Sequence, residues 1–297
     1  MTLEQLRIFV AVAEREHVTR AARDLSLTQS ATSAAVAALE ARYQTRLFDR
    51  VGRRIVLTEA GRIFLEEARA VLARAASAET ALADLAGLKR GSLSLAASQT
   101  VGNYWLPPLM QRYRARFPDI ALEVRIGNTE TVAGWVREGV ADLGFVEGEV
   151  DGPELEARPV AEDELVLVVG AGHPWARATP AGPLDFAATD WVIRERGSGT
   201  RAALEAAAAA AGLAPEALPV AFEFPSNEAV RAAVEAGGGA SVMSRLVAGA
   251  ALKAGTLVAL DLALPSRRFS LLRHRRRSVT AAEREFCALA PGGDAAA

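Results

Sequence analysis

The 297-residue chain contains one cysteine, Cys287, and three histidines, His17, His173 and His274. A lone thiol excludes an internal disulfide framework and suits a reducing cytoplasm. The histidines stand far apart and without metal-ligand spacing, so no metal centre is expected. There is no G-x-S-x-G elbow and no phosphate loop ending in Lys-Ser/Thr, so neither an enzyme nor a cofactor is expected. No apolar run approaches the ~20 residues that a bilayer-spanning helix needs. Met1-Thr2-Leu3-Glu4 leads straight into an amphipathic pattern rather than a secretory leader, so a cytoplasmic protein without a membrane partner is expected. The residues present, 51% apolar and 24% charged, are those of a folded chain long enough for two or three domains.

A formal net charge of −2 argues against a nucleic-acid partner until the charge is placed along the chain. Residues 1–62 hold ten arginines against seven acids, which makes this head +3 and the remainder −5. A mildly basic head on an acidic body restricts the positive footprint to one region.

Within that region, Leu3, Leu6, Phe9, Val10 and Ala13 mark one face of a helix over 3–14. Thr19 is expected to cap a second helix carrying Ala21, Ala22 and Leu25. After the polar turn Ser26-Leu27-Thr28, a third helix runs from about Gln29 to Tyr43 with Ala31, Val36 and Leu39 inward. Two such helices joined by a short turn form a helix-turn-helix unit. Thr28, Gln29, Ser30, Thr32 and Ser33 open its second helix, where a recognition helix presents side chains that read bases. The sequence Arg50-Val51-Gly52-Arg53-Arg54 reads as a tight basic hairpin, with Arg50, Arg53 and Arg54 within reach of phosphates. Thr58 then caps a long helix. Along it Phe64, Ala68, Val71, Ala75, Ala78, Leu82 and Leu85 alternate spacings of four and three, a seam for a second copy of the chain. One helix packing on its own domain is the alternative, disfavoured by the charge that surrounds the seam.

From Ser92 onward, short apolar strands alternate with helices: strands at 92–97, 120–126 and 143–146, helices at 104–117 and 131–138. A second series runs through 165–169, 191–193, 220–224 and 240–243. This predicts parallel α/β sheets in two lobes, with a cleft at the carboxyl ends of the strands. Ser98-Gln99-Thr100 and Gly197-Ser198-Gly199-Thr200 each follow a strand and open a helix, with Arg194 nearby; helix N-termini of this kind receive anions. Thr129 and Glu147 stand at further strand ends. The basic run 273–277 reads as a solvated strand end.

The motifs Ala21-Ala22-Arg23-Asp24-Leu25, Gln29-Ser30, Leu39-Glu40, Leu47-Phe48-Asp49-Arg50 and Leu57-Thr58-Glu59-Ala60-Gly61 closely resemble LysR-type transcriptional regulators. The resemblance implies a winged helix-turn-helix over 1–58, a dimerising linker helix over 59–90 and an effector domain over 91–297. That α/β domain would resemble periplasmic binding proteins, with lobe I at about 91–162 and 268–290 and lobe II at about 163–267. The partners it implies are promoter DNA, a small anionic effector, self-association into homodimers and homotetramers, and RNA polymerase. Segments such as Gly127-Asn128-Thr129 and Arg194-Glu195-Arg196-Gly197-Ser198-Gly199-Thr200 resemble a subgroup of sulfur-metabolism and carbon-fixation regulators. By that analogy Ser98, Gln99, Thr100, Thr129, Glu147, Arg194, Ser198 and Thr200 contact an effector. A sulfur oxyanion is expected first, and a phosphorylated or dinucleotide metabolite second. A solute-binding transport protein is the reading from another class. Two departures from the family stand in the head: Ala34-Ala35 replace a basic or amide pair, and Tyr43-Gln44 replace a glycine ending.

Overall fold

The computed structural model describes residues 1–51, 54–85, 91–150, 152–178, 184–262, 264 and 266–291. The chain divides into two compact units, Met1–Leu88 with Glu138–Val140, and Lys89–Arg137 with Ala141–Ala297.

In the first unit, α1 (Leu3–Arg15), α2 (Val18–Asp24) and α3 (Gln29–Tyr43) precede a hairpin of β1 (Phe48–Val51) and β2 (Arg54–Leu57), then α4 (Glu59–Leu85). His17, not Thr19, caps α2: its Nδ1 accepts the Arg20 amide, and Thr19 already lies inside the helix. In α3 the inward stripe is Thr32, Val36 and Leu39. Ala31 is exposed, contrary to expectation: α3 has the expected bounds, but its fourth residue, not its third, faces the core. Gln44 closes α3 in the left-handed region at φ 50°, taking the conformation that a glycine takes most easily.

Phe9 is fully buried among Leu6, Ala13, Leu39, Leu47 and Ala68, its ring 4.7 Å from Phe64 and 5.5 Å from Phe48. Polar side chains tie the hairpin to this core. Glu40 Oε1 accepts the amides of Leu47 at 2.7 Å and Phe48 at 3.2 Å. Thr58 donates its hydroxyl to the Arg46 carbonyl at 2.8 Å and accepts the Gly61 amide at 2.9 Å. A Cβ on Gly61 would stand 2.1 Å from the Leu47 carbonyl oxygen, so only glycine lets α4 approach the hairpin this closely.

The proposed seam of α4 is thereby split. Phe64 and Ala68 pack inside their own head, which corrects the assignment of Phe64 to the dimer interface alone. Val71 is 41% exposed, Leu82 is 68% exposed, and Ala78 is exposed on the same helix. Leu85 ends α4, and its side chain lies outside the described part.

The second unit carries two five-stranded sheets. The first, in the order β4-β3-β5-β12-β6, contains β3 (Gly91–Ser98), β4 (Ile120–Gly127), β5 (Leu143–Glu147), β6 (Leu155–Asp163) and β12 (Arg267–His274). The second, β11-β7-β10-β8-β9, contains β7 (Leu165–Gly170), β8 (Trp191–Arg194), β9 (Val220–Phe224), β10 (Ala240–Ser244) and β11 (Leu257–Leu260). Helices α5 (Leu106–Arg116), α6 (Thr129–Glu138) and α11 (Ala281–Leu289) belong with the first sheet. The short α7 (Pro174–Arg177), α8 (Gly199–Ala210), α9 (Asn227–Glu235) and α10 (Arg245–Ala254) belong with the second.

Both sheets are mixed, not wholly parallel as expected. Strand β12 runs antiparallel to β5 and β6, and β7 runs antiparallel to β10 and β11. The reason lies in the crossovers: Glu164 alone separates β6 from β7, and the chain returns to the first sheet through β12. Sequence reading passed over β6 and β11 and marked only the basic end of β12. In β6, Pro159 interrupts the apolar signal; it is accommodated on an edge strand beside a bulge opposite Phe269 and Ser270. The expected helix over 104–117 begins instead as a π-helical turn at Val101–Trp105 that leads into α5.

Candidate functional site

In the head, Thr28 caps α3, its Oγ1 accepting the Ala31 amide at 3.2 Å and lying 3.1 Å from Ser30 Oγ. Thr28, Gln29 and Ser30 are exposed at this helix start, and Ser33 is half-buried. Thr32 is fully buried and donates its hydroxyl to the Thr28 carbonyl at 3.1 Å, so it supports the helix start and cannot read a base. Arg50 is exposed on β1. Arg54 pairs with Val51 across the hairpin; Arg53 and the Arg54 side chain lie outside the described part.

In the body, the carboxyl ends of strands and the N-termini of helices converge. Ser98 ends β3, Glu147 ends β5, and Arg194 ends β8; Thr129 opens α6, Ser198 caps α8, and Thr200 lies in its first turn. All six are buried, as is Thr100, while Gln99 is half-buried. The Ser98 hydroxyl donates to Glu147 Oε2, and the Thr100 hydroxyl donates to Glu147 Oε1 at 3.2 Å. Thr129 donates to the Glu147 backbone carbonyl at 2.9 Å. Ser198 Oγ accepts the Thr200 amide at 3.2 Å. Gly199 packs against this turn, where a Cβ would stand 2.3 Å from the Glu147 carbonyl oxygen.

Residues that sequence reasoning missed complete the network. Arg194 donates from Nε and Nη2 to Glu195 at 2.8 and 2.9 Å, and from Nη1 to Asn227 Oδ1. Asn227 donates in turn to Thr100 Oγ1 at 3.0 Å, and its amide reaches Gln99 Oε1 at 2.9 Å. Asn128 donates to Glu195 at 3.2 Å. At the crossovers, Arg267 pairs with Asp163 and donates to Thr200 Oγ1 at 3.0 Å, while Ser244 donates to Asp163 at 2.5 Å. The Ser98–Gln99–Thr100 and Arg194–Thr200 signals were visible in the sequence as strand-to-helix turns. Asp163 and Arg267 carried no such local signal.

Burial pushes the Glu147 carboxyl above its ordinary range, against the opposing pull of Arg267, the Thr100 hydroxyl and Arg194. Burial also acts upward on Glu195, but its two bonds from Arg194 hold it net below the ordinary value. Beside this network an open groove of about 740 Å³ is lined by Thr129, Gly197 and Ser198 together with Arg137, Arg196 and Arg201.

Residues 3–62 match the bacterial regulatory helix-turn-helix model of the lysR family, and residues 86–292 match the LysR substrate binding domain. The chain belongs to the LysR family of transcription regulators. It is 37% identical over 291 residues to the uncharacterised HTH-type regulator YeiE of Escherichia coli K12, covering 96% of both chains. It is 36% identical over 247 residues to the HTH-type regulator CysL of Bacillus subtilis, covering 83% of this chain and 82% of CysL. The RuBisCO operon transcriptional regulator of Allochromatium vinosum is 35% identical over 277 residues, 93% of this chain and 90% of that one. In fold, the chain is similar to full-length CbnR crystallised with its target DNA, with a TM-score of 0.69, 22% identity and coverage of 98% and 99%. As a LysR regulator the chain binds DNA and is not an enzyme. The helix-turn-helix match sets aside the solute-transport reading. Among the described residues no helix is long and apolar enough to cross a membrane.

Proposed function

We propose that this LysR regulator controls cytoplasmic transcription from pseudo-palindromic promoter DNA in response to a small anionic effector, with sulfite or sulfate first. One observation carries the reading: the buried hydroxyls of Ser98 and Thr100 donate to the Glu147 carboxylate, Thr129 donates to its backbone carbonyl, and Arg267 and Arg194 act on it by charge. Short side chains already within hydrogen-bond distance of one another fit an oxyanion of a few atoms better than an extended metabolite. The exposed Val71, Ala78 and Leu82 on α4 support a homodimer; a homotetramer built from it, engaging DNA and RNA polymerase, is the assembly proposed.

A second reading has its own support. The 740 Å³ groove, lined by Arg137, Arg196 and Arg201 and also by Glu130, Glu149, Glu205 and Glu216, is large enough for a phosphorylated metabolite, and one relative is a RuBisCO operon regulator. A thermal-shift titration of the full chain distinguishes the two. Sulfite, sulfate, phosphate, sugar phosphates and nicotinamide dinucleotides are each added well above their Kd. A ligand at a hundredfold excess over Kd stabilises the folded state by about 2.7 kcal/mol. A rise in Tm with the sulfur oxyanions alone supports the first reading. A rise only with larger phosphorylated compounds replaces it with the second.

For the head, Thr28, Gln29, Ser30 and Ser33 supply base and backbone contacts, and Arg50, Arg53 and Arg54 hold phosphates. Replacing Arg53 and Arg54 with Ala is expected to weaken binding to every DNA sequence alike. The slope of log affinity against log salt should become shallower by about 0.9 for each phosphate that is no longer neutralised. Loss of preference at a single base position, with the slope unchanged, would show these arginines reading sequence instead.

A further inference from the structure

Among the described residues, the two arginines of the buried network and the Thr129 hydroxyl have acceptors supplied by the chain itself. Arg194 is held by Glu195 and Asn227, Arg267 by Asp163, and Thr129 by the Glu147 backbone carbonyl. The hydroxyls of Ser98 and Thr100 both point at the two carboxylate oxygens of Glu147, one to each. That is the pattern by which a bound oxyanion is held: two oxygens of one planar group, each taking a hydroxyl, within the field of two guanidinium groups. We infer that the Glu147 carboxylate is an internal occupant of the oxyanion cradle, and that an incoming anion replaces it there only as Glu147 takes up one proton. The inference rests on the oxyanion reading of this site.

The physical reason is charge. The acids that face Glu147's neighbourhood are Glu195, after β8, and Asp163, at the end of β6, and each is matched by its own arginine. Across the cleft lie Arg194 from β8 and Arg267 from β12, while Asn227, at the start of α9, adds an uncharged amide. The cluster is thus close to neutral when Glu147 is neutral, and it carries one excess negative charge when Glu147 is ionised. An anion arriving beside an ionised, fully buried carboxylate meets like-charge repulsion at low dielectric. Burial raises the Glu147 carboxyl above its ordinary range, which favours its protonated form. The proton comes from solvent and ends on a carboxyl oxygen of Glu147; no other bond is made or broken.

The consequence is an effector affinity that depends on pH through the protein and not through the ligand. Sulfate is the probe of choice because its charge does not change between pH 6 and 9, unlike that of sulfite. Calorimetric titration of the full chain with sulfate, in two buffers of different ionisation heat, counts the protons taken up. Wild type is expected to take up nearly one proton per sulfate at the alkaline end, and its apparent affinity should fall about tenfold per pH unit there. Glu147→Gln keeps the shape but carries no charge, with one hydroxyl still donating to the amide oxygen and the other turned to accept from the amide NH2, and should bind sulfate with no proton uptake and no pH slope. Wild-type binding with neither uptake nor slope overturns the inference, as does a slope that persists in E147Q. Should E147Q fail to fold, the wild-type proton count alone decides. Absence of binding of sulfate and sulfite by both proteins overturns the oxyanion reading itself and this inference with it. Binding without proton linkage overturns the inference alone.

Discussion

Arg267→Ala is expected to lower the stability of the body by about 3–5 kcal/mol, the usual result of removing one partner from a buried ion pair. Arg267 and Asp163 are both almost wholly inaccessible to solvent, so screening by water and salt gives little relief. The truncation leaves the Asp163 carboxylate with the Ser244 hydroxyl as its one remaining side-chain partner among the described residues, and removes the donor to Thr200 Oγ1. Both residues sit where the chain crosses between its two sheets, Asp163 ending β6 and Arg267 opening β12. Urea denaturation followed by circular dichroism measures the change. Joint replacement by Asp163→Leu and Arg267→Met should recover a large part of it, because no charge is then left buried without its partner. A change below about 1 kcal/mol in the single variant would mean that water enters the crossover when the guanidinium is removed.

In the head, Phe9→Ala is expected to cost a further ~3–5 kcal/mol, now in the unit that contacts DNA. Phe9 has no accessible surface and touches rings from the wing and from α4, Phe48 and Phe64. Its removal leaves a cavity that rigid neighbours on three different elements do not fill. Expected results are loss of DNA binding at temperatures where wild type binds fully and an early unfolding transition, with the anion response of the body retained. DNA affinity within twofold of wild type at 37 °C would show that the head repacks around the cavity, against the packing described above.

These two sites differ in how well the sequence foretold them. Phe9 lies on an apolar stripe with Leu6 and Ala13, a local signal that survives in the fold because helices impose it within a few residues. The Leu39-Glu40, Thr58 and Gly61 motifs were recognisable too, and the structure gives their reason: Glu40 and Thr58 satisfy backbone groups at the wing, and Gly61 permits close approach to Leu47. Legibility failed where a half-turn of phase mattered. Thr32 looked available to DNA and Ala31 looked buried, but α3, at its expected bounds, packs with Thr32 inward and Ala31 outward. Phe64 looked like part of a dimer interface because a seam that serves its own head for two turns and is exposed further along has one continuous pattern.

By itself the sequence determined what short-range physics controls: an apolar period of 3.6 or 2, polar caps at helix starts, a basic head on an acidic body, and motifs specific enough to assign the LysR family. Tertiary structure alone decided which further residues tie that cleft together. Asp163 and Arg267 are 104 positions apart and Thr100 and Asn227 are 127 apart, and neither of these pairs leaves a local trace. The two crossovers reverse strands β7 and β12 and bring strand ends from both sheets to one place. Buried charges there must find partners at any sequence separation, since leaving one unpaired costs more than the loop closure that brings its partner near.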